Sequence, residues 1–173
     1  LRAPLFIWTS GETVLCWVPQ KGPAMKPRIS VLTLGVADLE RSLVFYRDGL
    51  GLPTKGIIGQ EYEHGAVAFF DLSAGLKLAL WAQADIAHDT GLPQQPVSPT
   101  AMTIGHNVLH RHEVDQIMDA AERAGAGIIK PAQDSFYGGY AGYFRDPDGH
   151  LWDIVWNPDL LPGDDGASSG RSP

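Results

Sequence analysis

The order of strand-like and helix-like patterns in the first half of this chain returns in its second half. Val36 matches Val108 and Gly75 matches Gly149, at offsets of 72 and 74 residues. The same alignment superposes residues 76–80 on residues 150–154. A repeat of this kind indicates two copies of one supersecondary unit that are related by approximate two-fold symmetry. It constrains the fold more strongly than any single motif.

Each half of the repeat reads as strand, helix, strand, strand, strand. Residues 29–36 alternate in the way that a half-buried strand does. Asp38 then suits a helix N-cap, and Leu39, Leu43 and Tyr46 form an amphipathic stripe behind it. The helix of the second half is predicted from a matching stripe, which consists of Val114, Ile117, Met118 and Ala121.

We therefore predict an α+β fold in which two βαβββ modules form a curved mixed sheet around a cleft. The helices can cover only one face of the strands, so the other face is left to line the cleft. The modules are expected at residues 25–90 and 101–158, with a Pro-rich linker at 91–100. Residues 1–24 are predicted to be an extension outside the core, with an added edge strand as the alternative. Residues 159–173 are predicted to form a flexible tail.

Composition limits the classes of partner. A formal net charge of −7 argues against nucleic acid, whose phosphates require a basic surface. The single cysteine, Cys16, cannot form a disulfide within the chain and fits a reducing cytoplasm. No apolar run approaches the roughly 20 residues that span a bilayer. We expect a cytoplasmic protein whose partner is a small molecule, with no nucleic acid and no membrane.

Two segments carry a family resemblance: LGVADLERSLVFYRDGLG at residues 34–51 and YFRDPDGHLWD at residues 143–153. With these motifs the chain resembles the glyoxalase/bleomycin-resistance/extradiol-dioxygenase superfamily, which has the vicinal oxygen chelate fold. The resemblance covers about residues 28–158 and implies the paired βαβββ architecture and a homodimer. It leaves the chemistry open, because the superfamily includes isomerases, lyases, dioxygenases, thiol transferases and non-catalytic drug-binding proteins.

The resemblance also implies where a metal would bind. Enzymes of the family take metal ligands from the first and last strand of each module, and these positions fall here on Val31, Ala79, Thr103 and Asp153. Only Asp153 is a good ligand, whereas divalent metals need three or four donors or more. We therefore expect no metal or other cofactor.

Asp153 is an acid in the middle of an apolar strand. Alternation places Leu151, Asp153 and Val155 towards the cleft. A carboxylate among apolar neighbours is costly unless it is paired or hydrated. Lys77 has the same parity on the matching strand of the first module, so an ion pair across the cleft is one hypothesis. A ligand-binding or acid–base role for Asp153 is the alternative.

Aromatic and polar residues complete the predicted pocket. Tyr137, Tyr140 and Tyr143 alternate with glycines, and flat amphipathic rings on such a loop suit stacking on a small molecule. Alternatively, these tyrosines only cover the edge of the core. Trp81 shares the cleft-facing parity. The predicted ligand-binding residues are thus Lys77, Trp81, Thr103, Tyr137, Tyr140 and Tyr143.

The histidines carry weaker signals. His106 is predicted to be a hydrogen-bonded core residue that faces the helices, unless a bulge at Gly105 turns it into the cleft. His64 lies in a polar loop with Glu61 and Glu63, and a solvated loop is the preferred interpretation. His88 is expected at the surface.

Three functions follow from these patterns. The first is a glyoxalase- or bleomycin-resistance-like protein that binds a small organic molecule in an aromatic-lined cleft. The second is a metal-dependent lyase or isomerase of glyoxalase type, in which Asp153 acts with donors such as His106 or His64. The third is a structural or partner-binding module.

Overall fold

A computed structural model describes residues 5–9, 12–16, 28–162 and 168–170. Strands β1 (Leu5–Thr9) and β2 (Glu12–Cys16) pair antiparallel as a hairpin. The prediction that residues 1–24 are an extension stays a prediction, since residues 1–4, 10–11 and 17–24 lie outside the described ones.

The first module consists of β3 (Val31–Val36), α1 (Leu39–Val44), β4 (Thr54–Ile58), β5 (Val67–Asp71) and β6 (Lys77–Ala82). Asp38 caps α1 through its side chain, as predicted, and α1 continues as one π-helical turn over Phe45–Gly49. A short 3-10 turn, Ser73–Gly75, joins β5 to β6. After β6 the chain forms a helix that the sequence patterns did not indicate, α2 (Gln83–Thr90).

The second module repeats this order. It consists of β7 (Thr103–Val108), α3 (Arg111–Arg123), β8 (Gly127–Asp134), β9 (Tyr140–Arg145) and β10 (Leu151–Trp156). Two short strands follow, β11 (Leu160–Pro162) and β12 (Ser168–Gly170), which pair antiparallel within the segment that we predicted to be a flexible tail.

The strands of each module form a separate four-stranded mixed sheet, in the orders β3-β6-β5-β4 and β7-β10-β9-β8. In both sheets the first and last strands of the module are parallel and the other pairs are antiparallel. Val31 lies opposite Lys77 in one sheet, and Thr103 lies opposite Leu151 in the other. These pairs keep the offsets of 72 and 74 residues, and the predicted fold class is confirmed.

The helix-facing sides of both sheets contribute to one hydrophobic core. The Tyr46 ring, in the π turn that follows α1, lies between them, with its centroid 5.8 Å from that of Phe70 and 5.9 Å from that of Trp152. Phe45 of the same turn also contacts Phe144, at 6.4 Å between centroids. Because these sides share the core, the opposite side of each sheet, which we call its open face, points outwards.

The turn between β9 and β10 joins the two modules. The Asp148 carboxylate accepts hydrogen bonds from the Ala37 backbone N–H at 2.8 Å, from Arg41 Nη2 at 2.7 Å and from Ser42 Oγ at 2.5 Å. All three donors belong to the first module. Gly149 takes a positive φ, 99°, which glycine adopts without steric cost in a turn.

Asp146 extends the same junction inside the protein. Its carboxylate accepts from the Tyr46 hydroxyl at 2.6 Å and contacts His150 Nδ1 at 2.9 Å. Burial opposes ionisation of Asp146, but the hydrogen bonds from His150 and Tyr46 outweigh it and lower the pKa of the carboxyl. The turn is therefore a buried polar contact between modules as well as a chain reversal.

In the part of the chain that the structure describes, no helix has the length and apolar character that crossing a membrane requires.

Candidate functional site

Asp153 lies on the open face of the second sheet. Its strand neighbours Trp152 and Ile154 are buried in the shared core, so Asp153 points to the other side, as the alternation predicted. Tyr143 lies directly opposite Asp153 on the antiparallel strand β9. Side chains at such paired positions are neighbours on the same face of a sheet.

The Asp153 carboxylate is only partly satisfied. Its Oδ1 atom is buried and has no hydrogen-bond partner among the described residues. Burial raises the pKa of Asp153, and Lys130 and the Tyr143 hydroxyl offset only part of this rise. A buried acceptor without a donor is costly in a folded protein, and an unsatisfied one calls for an explanation.

Tyr143 and Lys130 form one wall beside this carboxylate. Burial raises the pKa of Tyr143, and Asp153 and Tyr137 raise it further. The Lys130 ammonium lies 5.8 Å from the centroid of the Tyr143 ring. The group thus offers a carboxylate, a phenol and an ammonium side by side on one face.

Tyr137 reaches this group from the loop that precedes β9. A Cβ atom at Gly139 would lie 2.4 Å from the Tyr137 ring and 2.8 Å from the Trp156 carbonyl oxygen. Only glycine allows the ring to lie this close to the backbone at residue 139. Phe136, which packs edge-on against Tyr137 at 5.3 Å, is fully exposed.

Tyr140 does not share this environment. Its hydroxyl donates to Asp115 at 2.8 Å, and the Arg111 guanidinium lies 3.9 Å from its ring centroid. Both partners belong to α3, which covers the opposite side of the sheet. The three predicted tyrosines are thus divided between the open face and the helix side.

The predicted ion pair between Lys77 and Asp153 is not formed. Lys77 donates instead to Asp71, with which it is in register on the neighbouring strand β5. Among the described residues, Lys77 of the first module makes no hydrogen bond or ion pair with Asp153 of the second. Lys77 pairs with Asp71 because the two residues lie opposite each other on adjacent strands.

The four positions that the family resemblance marks for a metal are also divided between the sheets. Val31 is 44% exposed and Ala79 is 1% exposed on the first sheet, and neither has a donor atom. Thr103 is exposed on the edge strand of the second sheet. Among the described residues no group of three or more His, Cys, Asp or Glu side chains is arranged to hold a metal ion.

The histidines differ most from expectation. His106 lies opposite the core residue Ile154 and so faces the helix side, as predicted, but it is exposed, so the prediction that it is buried in the core is wrong. Its strand β7 is the edge of the second sheet as the described strands form it. His64 Nδ1 lies 2.7 Å from Asp85 Oδ1, and the His64 ring stacks on His88 at 4.0 Å. The sequence patterns placed His64 and His88 in separate surface segments, because they did not reveal helix α2.

Trp81 connects this histidine group to the first sheet. Trp81 alternates with the core residues Leu78 and Leu80 and therefore lies on the open face. Its indole N–H donates to the His64 carbonyl oxygen at 3.2 Å. The predicted ligand-binding tryptophan thus contacts a cluster that was not predicted.

Comparison with known proteins identifies the family of the chain. The family model described as "Glyoxalase/Bleomycin resistance protein/Dioxygenase superfamily" matches residues 28–154. Among solved structures, a glyoxalase-related enzyme from Fulvimarina pelagi is 32% identical, with a TM-score of 0.72, over 85% of this chain and all of that one.

Two further structures show the same fold at lower identity. A glyoxalase/bleomycin resistance protein/dioxygenase from Nocardioides is 24% identical, with a TM-score of 0.62, over 87% of this chain and 93% of that one. A lactoylglutathione lyase from Agrobacterium tumefaciens is 20% identical, with a TM-score of 0.57, over 76% and 95%. The match to the family model covers well over half of the chain, which therefore belongs to the glyoxalase/bleomycin resistance protein/dioxygenase superfamily.

Proposed function

We propose that this protein binds a small, flat organic molecule against the open face of the second sheet, with Asp153 as its polar anchor. The observation that carries the proposal is the buried Asp153 Oδ1 atom, which has no donor among the described residues. A ligand hydroxyl or N–H group would satisfy this acceptor and recover the free energy that an unpaired buried group costs.

The side chains around Asp153 suit an aromatic ligand. Tyr143 presents its ring beside the carboxylate, and Tyr137 lies close enough to Tyr143 to raise its pKa. Gly139 allows the Tyr137 ring to pack against the backbone. Aromatic rings bury large apolar areas and stack on planar partners. Lys130 provides a positive charge next to the carboxylate for a ligand that also carries an acidic group.

The binding cleft is completed by a second copy of the chain. The first strand of each module, β3 and β7, lies at the edge of its sheet, and apolar side chains are exposed there on Ile29, Val31 and Met102. A two-fold axis would set β3 of each copy beside β7 of the other, so the contact is made twice and closes. It would also set the open face of a first module beside that of a second module.

A metal-dependent lyase or isomerase is the alternative. The residues at the four family positions do not fit a divalent metal, because Val31 and Ala79 supply no donor atom and Thr103 supplies only a neutral hydroxyl. Metal analysis of protein purified without chelator separates the two functions. We expect less than stoichiometric metal; one equivalent of nickel, zinc, iron or manganese would favour the enzyme.

The anchor role is tested by thermal shift with a panel of flat phenols and aryl amides, each paired with its O- or N-methylated analogue. We expect the parent compounds to raise the melting temperature and the methylated ones to fail. Asp153→Asn should abolish the rise, whereas Asp159→Asn, at an exposed acid, should retain it. Equal rises with the methylated compounds would overturn the anchor.

The completed cleft is tested by analytical ultracentrifugation. Val31→Asp is expected to convert a dimer to a monomer and to remove ligand-induced stabilisation, because it places a charge in the apolar edge contact. Val44→Asp is the matched control, since Val44 is 50% exposed, close to the 44% of Val31, but lies on α1. A monomeric wild type that still binds the panel would contradict the two-copy cleft.

A further inference from the structure

A histidine–aspartate cluster lies at the open face of the first module. Two contacts place helix α2 there: Gln83 Nε2 donates to the Gly35 carbonyl oxygen at 3.1 Å, and a Cβ at Gly35 would lie 3.3 Å from Ile86 Cδ1. Gly35 alternates with the core residues Leu34 and Val36, so α2 packs on the side away from the core. Asp85 and His88 belong to this helix.

Asp85 fixes the orientation of the His64 ring. The two side chains are joined by a 2.7 Å contact between Nδ1 and Oδ1, and the Asp85 side chain is only 17% exposed. A carboxylate can only accept in this contact, so the hydrogen lies on Nδ1 and the unprotonated nitrogen of a neutral His64 is Nε2. An aspartate that holds a histidine in this tautomer is the orienting element of many general-base sites.

Two further contacts and its backbone conformation hold His64 in place. The His88 ring stacks on it with centroids 4.0 Å apart and planes 21° apart. The Trp81 indole donates to its carbonyl oxygen. Its backbone has φ of 61°, a conformation that is uncommon for a residue other than glycine. Contacts with helix α2 and strand β6, together with the conformation of its own loop, therefore position the His64 imidazole.

The Nε2 atom remains available. On the Nε2 side, Glu63 places Oε1 at 3.7 Å from Nε2, which is beyond hydrogen-bond distance, and its side chain is 92% exposed. The His64 side chain itself is 36% exposed. An oriented imidazole with an accessible, unprotonated nitrogen can accept a proton from a molecule that binds beside it.

We propose that His64 and Asp85 form a proton-accepting dyad that acts on an acidic O–H or C–H group of a ligand at the open face of the first module. The proton passes from the ligand to His64 Nε2, and the electron pair of the broken bond stays on the ligand. Asp85 remains ionised and stabilises the imidazolium, which then returns the proton to the ligand or to water. The inference rests on the proposed function only in that its ligand is the small molecule held in the cleft.

The test needs no ligand, so its failure is distinct from failure of the proposed binding. Full-length protein is treated with diethyl pyrocarbonate, which acylates unprotonated imidazole nitrogen, and each histidine is followed by peptide mass spectrometry. Asp85→Asn is expected to slow acylation of His64 about tenfold or more, because the amide can donate to Nδ1 and move the ring hydrogen to Nε2. Exposed His112, on α3, is the internal control and should react at an unchanged rate.

Nitrogen NMR of the histidine rings provides the second measurement. Neutral His64 is expected to carry its hydrogen on Nδ1 in the wild type and on Nε2 in Asp85→Asn. His88→Phe keeps a ring against His64 and should leave the tautomer unchanged. An Nε2–H tautomer in the wild type, or a His64 acylation rate that Asp85→Asn does not change, would overturn the dyad.

Discussion

Two carboxylates within one short stretch, Asp146 and Asp153, are treated in opposite ways by the fold. Asp146 accepts from Tyr46, from its own turn and from His150, and these hydrogen bonds outweigh burial and lower its pKa. Asp153 is also buried in part, but its Oδ1 atom has no partner among the described residues and its pKa is raised. Both carboxylates are at least partly buried, but they differ in the hydrogen-bond donors that the surrounding residues provide.

The difference separates a structural acid from a functional one. Natural proteins rarely leave a buried acceptor unpaired, because each one costs free energy of folding. The hydrogen bonds of Asp146 compensate for its burial and join the two modules. Asp153 makes no equivalent contact, so a ligand is the simplest partner for it. Substitutions at the two sites should therefore produce opposite effects on stability and on binding.

The largest effect is expected from Asp146→Ala. The change removes the acceptor of the buried Tyr46 hydroxyl and the partner of His150, whose side chain is 10% exposed. Breaking a buried, hydrogen-bonded charge in this way costs roughly 3–5 kcal/mol. Urea denaturation measures the free energy of unfolding, with Asp159→Ala as the exposed control. A loss below about 1 kcal/mol would show that the turn does not hold the modules together.

The pH dependence of stability should reveal the role of Asp146 in a second way. The folded-state pKa of Asp146 lies below its usual value of 3.8, so its contribution is present above that pH. The contribution is lost as pH falls through the folded-state pKa. We expect Asp146→Asn to flatten the acid limb of the stability curve, measured by thermal denaturation between pH 6 and pH 2. An unchanged limb would assign acid unfolding to other carboxyls.

Asp153→Asn should have a small effect of the opposite sign. The raised folded-state pKa means that Asp153 favours the folded state most below its unfolded pKa, and that this advantage is lost as pH rises through the folded-state pKa. At neutral pH the neutral amide should therefore leave stability equal or raise it by about 0.5 kcal/mol. Urea denaturation at pH 7 and pH 5 measures the change. A large loss at pH 7 would make Asp153 a structural acid like Asp146.

The repeat allowed the fold to be predicted, because hydrophobic alternation and helix stripes are local signals that recur at matching offsets. The parity of Asp153 could be predicted for the same reason, since alternation decides which face a strand residue occupies. The hypothesis of an ion pair between Lys77 and Asp153 was wrong because it required the relative placement of two sheets, whereas Asp71 was available in register. The alternation of a strand shows which face of its sheet a residue occupies. It does not show whether that face lies against the open face of the other sheet.

Helix α2 explains most of what sequence reasoning missed at the first module. The sequence of residues 83–90 has no strong apolar stripe, so no helix was predicted there. In the structure, accordingly, none of the side chains of α2 is buried. Because α2 was not predicted, the contact between Asp85 and His64 was not predicted either. The available signal was that His64 precedes Trp81 in the sequence while Asp85 and His88 follow it. Whether these three side chains touch depends on how α2 packs on β3 and β6.

The last contrast concerns the two tyrosines that the fold divides. Tyr143→Phe removes a hydroxyl that faces Asp153, and Tyr140→Phe removes one that donates to Asp115 at the surface. Each should change the free energy of unfolding by roughly 1 kcal/mol or less, since each deletes a single hydrogen-bonding group. Only Tyr143→Phe should weaken ligand-induced stabilisation, because only the Tyr143 hydroxyl lies beside Asp153. Equal weakening by both variants would mean that the ligand also contacts the α3 side, and the open face would no longer account for binding.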